Sequence, residues 1–79
     1  MSNALPIVVI TGGSSGIGKS LAKQFASEGY FVVIASRSKE KLYSIRDDIE
    51  SKGHACLDIC VDLSIPGDIK KFADRVLEL

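Results

Sequence analysis

Three short apolar runs, each followed by a segment with helical periodicity, constrain the fold of this chain more than any other feature. The runs cover residues 7–11, 31–35 and 55–61 and are rich in β-branched residues, which is typical of buried strands. Apolar residues after each run recur at intervals of three and four. The order βαβαβα predicts an α/β fold with a parallel sheet, whose right-handed crossovers place the first two helices on one face.

Glycine, serine and aspartate residues mark the boundaries of these elements. Gly29 and Gly53 follow the first two helical segments, while Ser38 and Ser64 are the predicted N-caps of the second and third. Asp58 interrupts the third strand, which predicts that this strand lies at an edge of the sheet. The third helix alone is expected to cover the opposite face, through a stripe formed by Ile69, Phe72, Ala73, Val76 and Leu77.

Charge and hydropathy exclude several classes of protein. Ten basic residues balance ten acidic ones, so a nucleic-acid binder that depends on a basic surplus is excluded. The longest apolar run has six residues, whereas a membrane-spanning helix needs about 20. A chain of 79 residues is also close to the size below which a domain buries too little apolar surface to be secure.

The two cysteines, Cys56 and Cys60, lie on one predicted strand. Their Cα atoms would be about 13 Å apart in an extended chain, too far for a disulfide. Together with His54 they do not match the paired spacing of zinc ligands, so no metal site is expected. We therefore predict two small buried thiols in a reducing compartment, the cytoplasm.

The glycine-rich segment 12–18 connects the first strand to the first helix, where backbone N–H groups can hold a phosphate. Residues 13–20, GSSGIGKS, match the P-loop pattern G-x-x-x-x-G-K-S/T. In that interpretation Lys19 would reach the β and γ phosphates, Ser20 would hold Mg²⁺ and Asp62 would be the acidic metal partner. Residues 11–18, TGGSSGIG, instead form a glycine turn that differs from the G-x-G-x-x-G pattern.

The residue after the second strand favours a dinucleotide site. A dinucleotide fold contacts the adenosine ribose about 20 residues beyond the glycine turn, with an acid for NAD or an arginine for NADP. Arg37 occupies this position between Ser36 and Ser38, and Lys39 and Lys41 make the strand exit locally basic. Its planar guanidinium can contact a 2′-phosphate bidentately.

These motifs together resemble the N-terminal part of the short-chain dehydrogenases/reductases. The likeness covers residues 7–79 and rests on TGGSSGIG, on ASRS after the second strand and on VDLS after the third. GGSSGIGK is similar to the 3-ketodihydrosphingosine reductase branch. The resemblance implies a Rossmann-type doubly wound parallel sheet, of which this chain holds the N-terminal βαβαβα half only, so that residues 1–79 form a partial NADP-binding domain truncated before strand four.

The resemblance also implies a set of NADP(H)-binding residues. Asp62 would accept a hydrogen bond from the adenine amino group, and Leu63 is the binding residue next to it. Arg37 with Ser38 would select NADP. The pyrophosphate would lie on Gly12, Ser14, Ser15, Gly16, Ile17 and Gly18. Lys19 and Ser20 would then be only the exposed first turn of the helix.

The resemblance implies hydride transfer between a carbonyl and an alcohol, but it maps no catalytic residue onto this chain. The family uses a tyrosine with a lysine four positions later, whereas Tyr30 is followed by Ile34 and Tyr43 by Asp47. We therefore expect no turnover by residues 1–79 alone. A small carbonyl or alcohol substrate and a homo-oligomeric state are expected only of the full-length protein. Neither a nucleic-acid partner nor a membrane span is expected.

Further expectations concern location and stability. The sphingoid-reductase likeness adds the cytosolic face of the endoplasmic reticulum as an alternative address. One face of the sheet would be largely bare, which predicts a loosely folded or aggregation-prone monomer. Two other functions stay open, namely a P-loop ATP-binding phosphotransferase fragment and a non-catalytic nucleotide-binding or interaction module.

Overall fold

The computed structural model describes residues 5–12 and 16–79, which form a three-stranded parallel sheet alternating with three helices. The elements are β1 (Ile7–Thr11), α1 (Gly16–Ser27), β2 (Phe31–Ser36), α2 (Lys39–Ser51), β3 (Cys56–Cys60) and α3 (Pro66–Leu77). Each predicted strand agrees with the observed one to within one residue at either end. The strands lie in the order β1-β2-β3, so the predicted position of the third strand at an edge is confirmed.

Local chemistry explains the ends of α1 and α2 and the start of α2. Gly29 and Gly53 adopt φ angles of 91° and 81°, which side chains disfavour, and they follow α1 and α2 as predicted. Ser38 is the N-cap of α2, and its hydroxyl accepts the Lys41 N–H at 3.5 Å. This contact fixes the first turn of α2 directly after the exit of β2.

The predicted N-cap of α3 is wrong. Ile65 rather than Ser64 occupies the cap position, and no side chain caps the helix there. Pro66 is the first helical residue, where its fixed φ starts the helix and its missing N–H costs nothing. The Ser64 hydroxyl donates instead to the Asp62 carboxylate at 2.6 Å, because an ionised carboxylate is the stronger acceptor.

The central strand β2 is buried on both sides. On one face its Val32 and Ile34 pack with Ile10 of β1. The helical side chains that complete this layer are Ala22, Ala26, Leu42, Ile45 and Ile49. Both α1 and α2 therefore cover the same face, as the right-handed crossovers predicted.

The opposite face has a thinner cover. Val33 and Ala35 pack there with Ile59 and Val61, and Phe72 of α3 contacts this cluster. None of the residues of α3 is fully buried, and within the predicted stripe Ile69 is 50% and Leu77 is 83% exposed. The stripe is thus only partly correct, and a loosely folded monomer stays a prediction.

Residues of β3 contact α2 and the exit of β2. Asp58 lies opposite Ile34 in the sheet register, and its carboxylate accepts from the Arg46 guanidinium of α2 at 3.1 Å. Cys56 is half-buried, whereas Cys60 is exposed, so the prediction of two buried thiols is wrong for Cys60. Its position as the last residue of an edge strand accounts for the exposure.

Candidate functional site

A cleft of about 480 Å³ opens at the carboxyl ends of the three strands. In open α/β sheets this end of the sheet is where ligands bind. The cleft is lined by Gly12, Ala35, Ser36, Arg37, Lys41, Val61, Asp62, Leu63 and Ser64. Segments that follow β1, β2 and β3 thus meet at one site, although they are far apart in sequence.

Gly12, the residue directly after β1, lines one side of the cleft. Its N–H donates to the Ala35 carbonyl at 2.9 Å, which continues the ladder between β1 and β2 by one residue. Its φ of 66° then turns the chain out of the strand, and open space surrounds the position where a Cβ would lie. Glycine is therefore required here by backbone conformation, and a ligand can approach the main chain closely.

Arg37 and Lys41 supply positive charge to the cleft. Both side chains are exposed, and neither forms an ion pair with any residue in the ranges 5–12 and 16–79. The carbonyl of Arg37 accepts from the Cys60 thiol at 3.5 Å, which ties the exit of β2 to the end of β3. The cleft therefore presents two cations with no carboxylate paired to either of them.

Asp62 lies across the cleft from β1 and is held by a compact set of hydrogen bonds. Its Oδ1 accepts from the Ser64 N–H at 3.0 Å and from the Ser64 hydroxyl at 2.6 Å. Its own N–H donates to the Asp68 carboxylate of α3 at 2.9 Å. The Ser64 hydroxyl, the Ser64 N–H and then the nearby positive charge of Arg37 lower the pKa of Asp62. The site therefore holds an ionised acceptor in a fixed orientation.

The remaining predicted binding residues lie in different places. Leu63 lines the cleft beside Asp62. Ser38 does not line it, and its hydroxyl caps α2. Gly16, Ile17 and Gly18 begin α1 and do not line this cleft. Ser14 and Ser15, which carry part of the predicted pyrophosphate site, lie outside the described residues.

The P-loop interpretation finds no support in the position of Lys19. Lys19 does not line the cleft but a second depression, between α1 and α2, with Lys41, Ser44 and Ile45.

In the part of the chain that the structure describes, no group of three His, Cys, Asp or Glu side chains could hold a metal ion. Within the same part, no helix is long and apolar enough to cross a membrane.

Two contributors to the site were missed by sequence reasoning. The sequence pattern predicts Ser64 as a helix cap and gives no role to Asp68. The D-x-S spacing of Asp62 and Ser64 is a signal for a side-chain turn of this kind, in which a carboxylate accepts from the backbone two residues on. Nothing in the sequence indicates that Asp68 bonds the Asp62 N–H, because that contact depends on where α3 begins.

Fold and cleft together define an open α/β sheet with a cleft at the carboxyl ends of its parallel strands. The sequence pattern of the short chain dehydrogenases matches residues 6–79. This chain belongs to the short chain dehydrogenase family.

Individual relatives agree with this assignment. The chain is 39% identical over 69 residues to the 3-ketodihydrosphingosine reductase of Mus musculus, a match that covers 87% of this chain and 20% of the mouse protein. Its similarity to that branch of the family, expected from GGSSGIGK, is confirmed.

Solved structures show the same architecture. A metagenomic short-chain oxidoreductase in complex with NADP has a TM-score of 0.89 at 35% identity, covering 95% of this chain and 34% of that one. The L-sorbose reductase of Gluconobacter frateurii, complexed with NADPH and L-sorbose, has a TM-score of 0.85 at 32% identity, covering 96% and 29%. The chain thus spans about a third of these solved structures and about a fifth of the mouse reductase.

Proposed function

We propose that this chain is the NADP(H)-binding part of an oxidoreductase that interconverts a carbonyl and an alcohol. The observation that carries the proposal is Arg37, a guanidinium without an ion-pair partner among the described residues, at the exit of the central strand. A guanidinium at this point of a dinucleotide fold is suited to the 2′-phosphate that distinguishes NADP from NAD. The NADP and NADPH complexes of the similar solved structures support the same choice of cofactor.

Each wall of the cleft has a part in binding the adenosine end of the dinucleotide. Gly12 lets the main chain approach the pyrophosphate, and Arg37 faces the 2′-phosphate. The Asp62 carboxylate accepts a hydrogen bond from the adenine amino group, and Leu63 packs beside the ring. Two hydrogen bonds from Ser64 keep that carboxylate ionised and oriented before a ligand arrives.

The predicted pyrophosphate contacts of Ser14, Ser15, Gly16, Ile17 and Gly18, and the 2′-phosphate contact of Ser38, belong to the same proposal. Their basis is the TGGSSGIG and ASRS motifs. The N-terminus of α1 adds the positive end of a helix dipole to the pyrophosphate site.

The bound nicotinamide supplies the hydride in such a reaction. The contribution of this chain is to hold the other end of the same cofactor, and its sequence contains no Tyr-x-x-x-Lys. We therefore propose that residues 1–79 form a partial Rossmann domain that binds the dinucleotide without turning over substrate.

For the full-length protein we propose a small carbonyl or alcohol as the substrate and a homo-oligomeric state. The free thiols support a cytoplasmic location.

Titration calorimetry of the 79-residue chain with NADPH, NADH and Mg·ATP tests the binding proposal. We expect NADPH to bind about tenfold more tightly than NADH, since a charge-assisted pair with the 2′-phosphate adds on the order of 1.4 kcal/mol. Lys19→Ala serves as the control and leaves NADPH binding unchanged. Equal affinities for the two dinucleotides would contradict the proposal. Mg·ATP binding that is lost in Lys19→Ala would favour the P-loop alternative.

A steady-state assay tests the catalytic part of the proposal. With NADPH and a panel of ketones, the 79-residue chain is expected to show no oxidation of NADPH above background. Turnover above background would contradict the assignment of the chemistry to residues that this sequence does not contain.

A further inference from the structure

We propose that Lys41 is the second cation of the 2′-phosphate site and that it determines, together with Arg37, the preference for NADP(H). This inference rests on the proposed function, because it concerns the same cleft. It separates Lys41 from Lys39, which the sequence alone treats as an equivalent basic neighbour.

The charge of the ligand requires more than one cation. A phosphate monoester carries a charge of about −1.5 to −2 at pH 7. One guanidinium therefore leaves on the order of one negative charge uncompensated. Among the described residues that line the cleft, Arg37 and Lys41 are the basic side chains.

The position of Lys41 relative to the cleft follows from the cap of α2. The Ser38 hydroxyl accepts the Lys41 N–H at 3.5 Å, which makes Lys41 the third helical residue. Lys41 lines the cleft with Arg37, and it also lines the adjoining depression between α1 and α2 with Lys19. Lys39, the first residue of the same turn, lines neither.

The helix itself gains nothing from a lysine at this position. The N-terminus of a helix carries a partial positive charge, so a cation in the first turn is unfavourable for the isolated helix. Lys41 has no compensating ion pair with residues of the described segments 5–12 and 16–79. A bound dianion would be stabilised by the lysine and by the helix terminus at once.

Calorimetric titration of the 79-residue chain with NADPH and NADH tests the inference, with Lys39→Ala as the matched control. We expect Lys41→Ala to weaken NADPH binding about fivefold, as for one partly solvated charge pair, and to change NADH binding less than about twofold. Lys41→Arg keeps the wild-type preference because the charge is retained. Lys39→Ala changes both affinities less than about twofold. Circular dichroism checks that helix content is unchanged in each variant.

The outcomes separate this inference from the proposed function. If the wild-type chain prefers NADPH but Lys41→Ala loses no more affinity than Lys39→Ala, the role of Lys41 is overturned and the proposed function stands. If the wild-type chain binds both dinucleotides equally, the proposed function fails and the role of Lys41 fails with it. An equal loss of NADPH and NADH affinity in Lys41→Ala would also overturn the role of Lys41, because its charge would then not act on the 2′-phosphate.

Discussion

Two arginines near α2 have opposite surroundings. Arg46 contacts Asp47 and Asp58 at 3.1 Å and Glu50 at 3.5 Å, and its guanidinium lies 4.8 Å from the centre of the Tyr43 ring. Arg37 has no such partner within the described ranges 5–12 and 16–79. An arginine surrounded by carboxylates joins two elements of the fold, whereas an arginine without a partner beside a cleft is available to an anionic ligand.

The surroundings of the two arginines follow from their places in the sheet. Arg46 lies on the side of α2 that faces β3, where Asp58 points toward it from the same face as Ile34. Hydrogen bonds from its guanidinium to Asp47 and then to Asp58 raise the pKa of Arg46, which stays fully charged. Arg37 directly follows β2, the strand at the centre of the sheet, and borders the site rather than the packed layer.

Reversal of the Arg37 charge gives the largest expected effect. Arg37→Glu places a carboxylate beside the 2′-phosphate, so we expect NADPH affinity to fall about 30-fold or more while NADH affinity changes less than about threefold. Fluorescence titration with both reduced dinucleotides measures this ratio. An unchanged preference for NADPH would remove Arg37 from the account.

The two cysteines differ in burial, and only Cys60 is in contact with Arg37. Burial, then the negative charges of Asp58 and Glu50, raise the pKa of Cys56 to about 12, whereas Cys60 is exposed and its thiol contacts the carbonyl of Arg37. At pH 8 we expect a thiol reagent to label Cys60 at least about tenfold faster than Cys56, since the thiolate is the reactive form. Bound NADPH slows only the labelling of Cys60. Equal labelling rates, or protection of Cys56 instead, would contradict this assignment.

Removal of the Ser38 cap tests how much this side chain stabilises the first turn of α2, beside Arg37. We expect Ser38→Ala to lower the free energy of unfolding by about 1 kcal/mol, because the Lys41 N–H loses its acceptor. Denaturant titration measures the loss. Ser38→Asp is the control, because it restores an N-cap acceptor and should recover the stability. An unaltered stability of Ser38→Ala would show that the cap contributes nothing.

Arg46→Ala gives the smallest expected effect on binding. The variant should lower the thermal midpoint by a few degrees, since the link between α2 and β3 is partly exposed. The ratio of NADPH to NADH affinity should stay within about twofold of wild type. A change in that ratio comparable to the Arg37→Glu effect would abolish the distinction between a structural and a ligand-binding arginine.

The periodicity of the sequence was sufficient for the sheet. The continuous apolar strands predicted the element order. Gly29 and Gly53 predicted the ends of α1 and α2, and the interruption at Asp58 predicted the edge position of β3, because these features depend on local chemistry. The cap of α3 was not predicted correctly, because Asp62 and Pro66 compete with Ser64 for the start of that helix. The D-x-S spacing and Pro66 are local signals, but the sequence does not say which of the competing starts forms.

The candidate site was predictable in outline and not in detail. Arg37 and Asp62, which the sequence predicts as binding residues, both line the cleft because each lies beyond the end of a strand, at the side of the sheet where ligands bind. The separation of Lys41 from Lys39 requires the helical turn and its cap, and the contact of Asp68 with the Asp62 N–H requires the packed start of α3. Both distinctions depend on where a helix begins, which the neighbouring residues alone do not specify.

The central claim is that this chain selects a 2′-phosphorylated adenine dinucleotide. It is tested most directly with two nucleotides that correspond to the adenosine ends of NADP and NAD and differ only in that phosphate. Calorimetry of the 79-residue chain with adenosine 2′,5′-bisphosphate and with adenosine 5′-monophosphate isolates the adenosine end of the cleft. We predict about tenfold tighter binding of the bisphosphate, and loss of that difference in Arg37→Glu. Equal binding of both nucleotides by the wild-type chain would contradict the account.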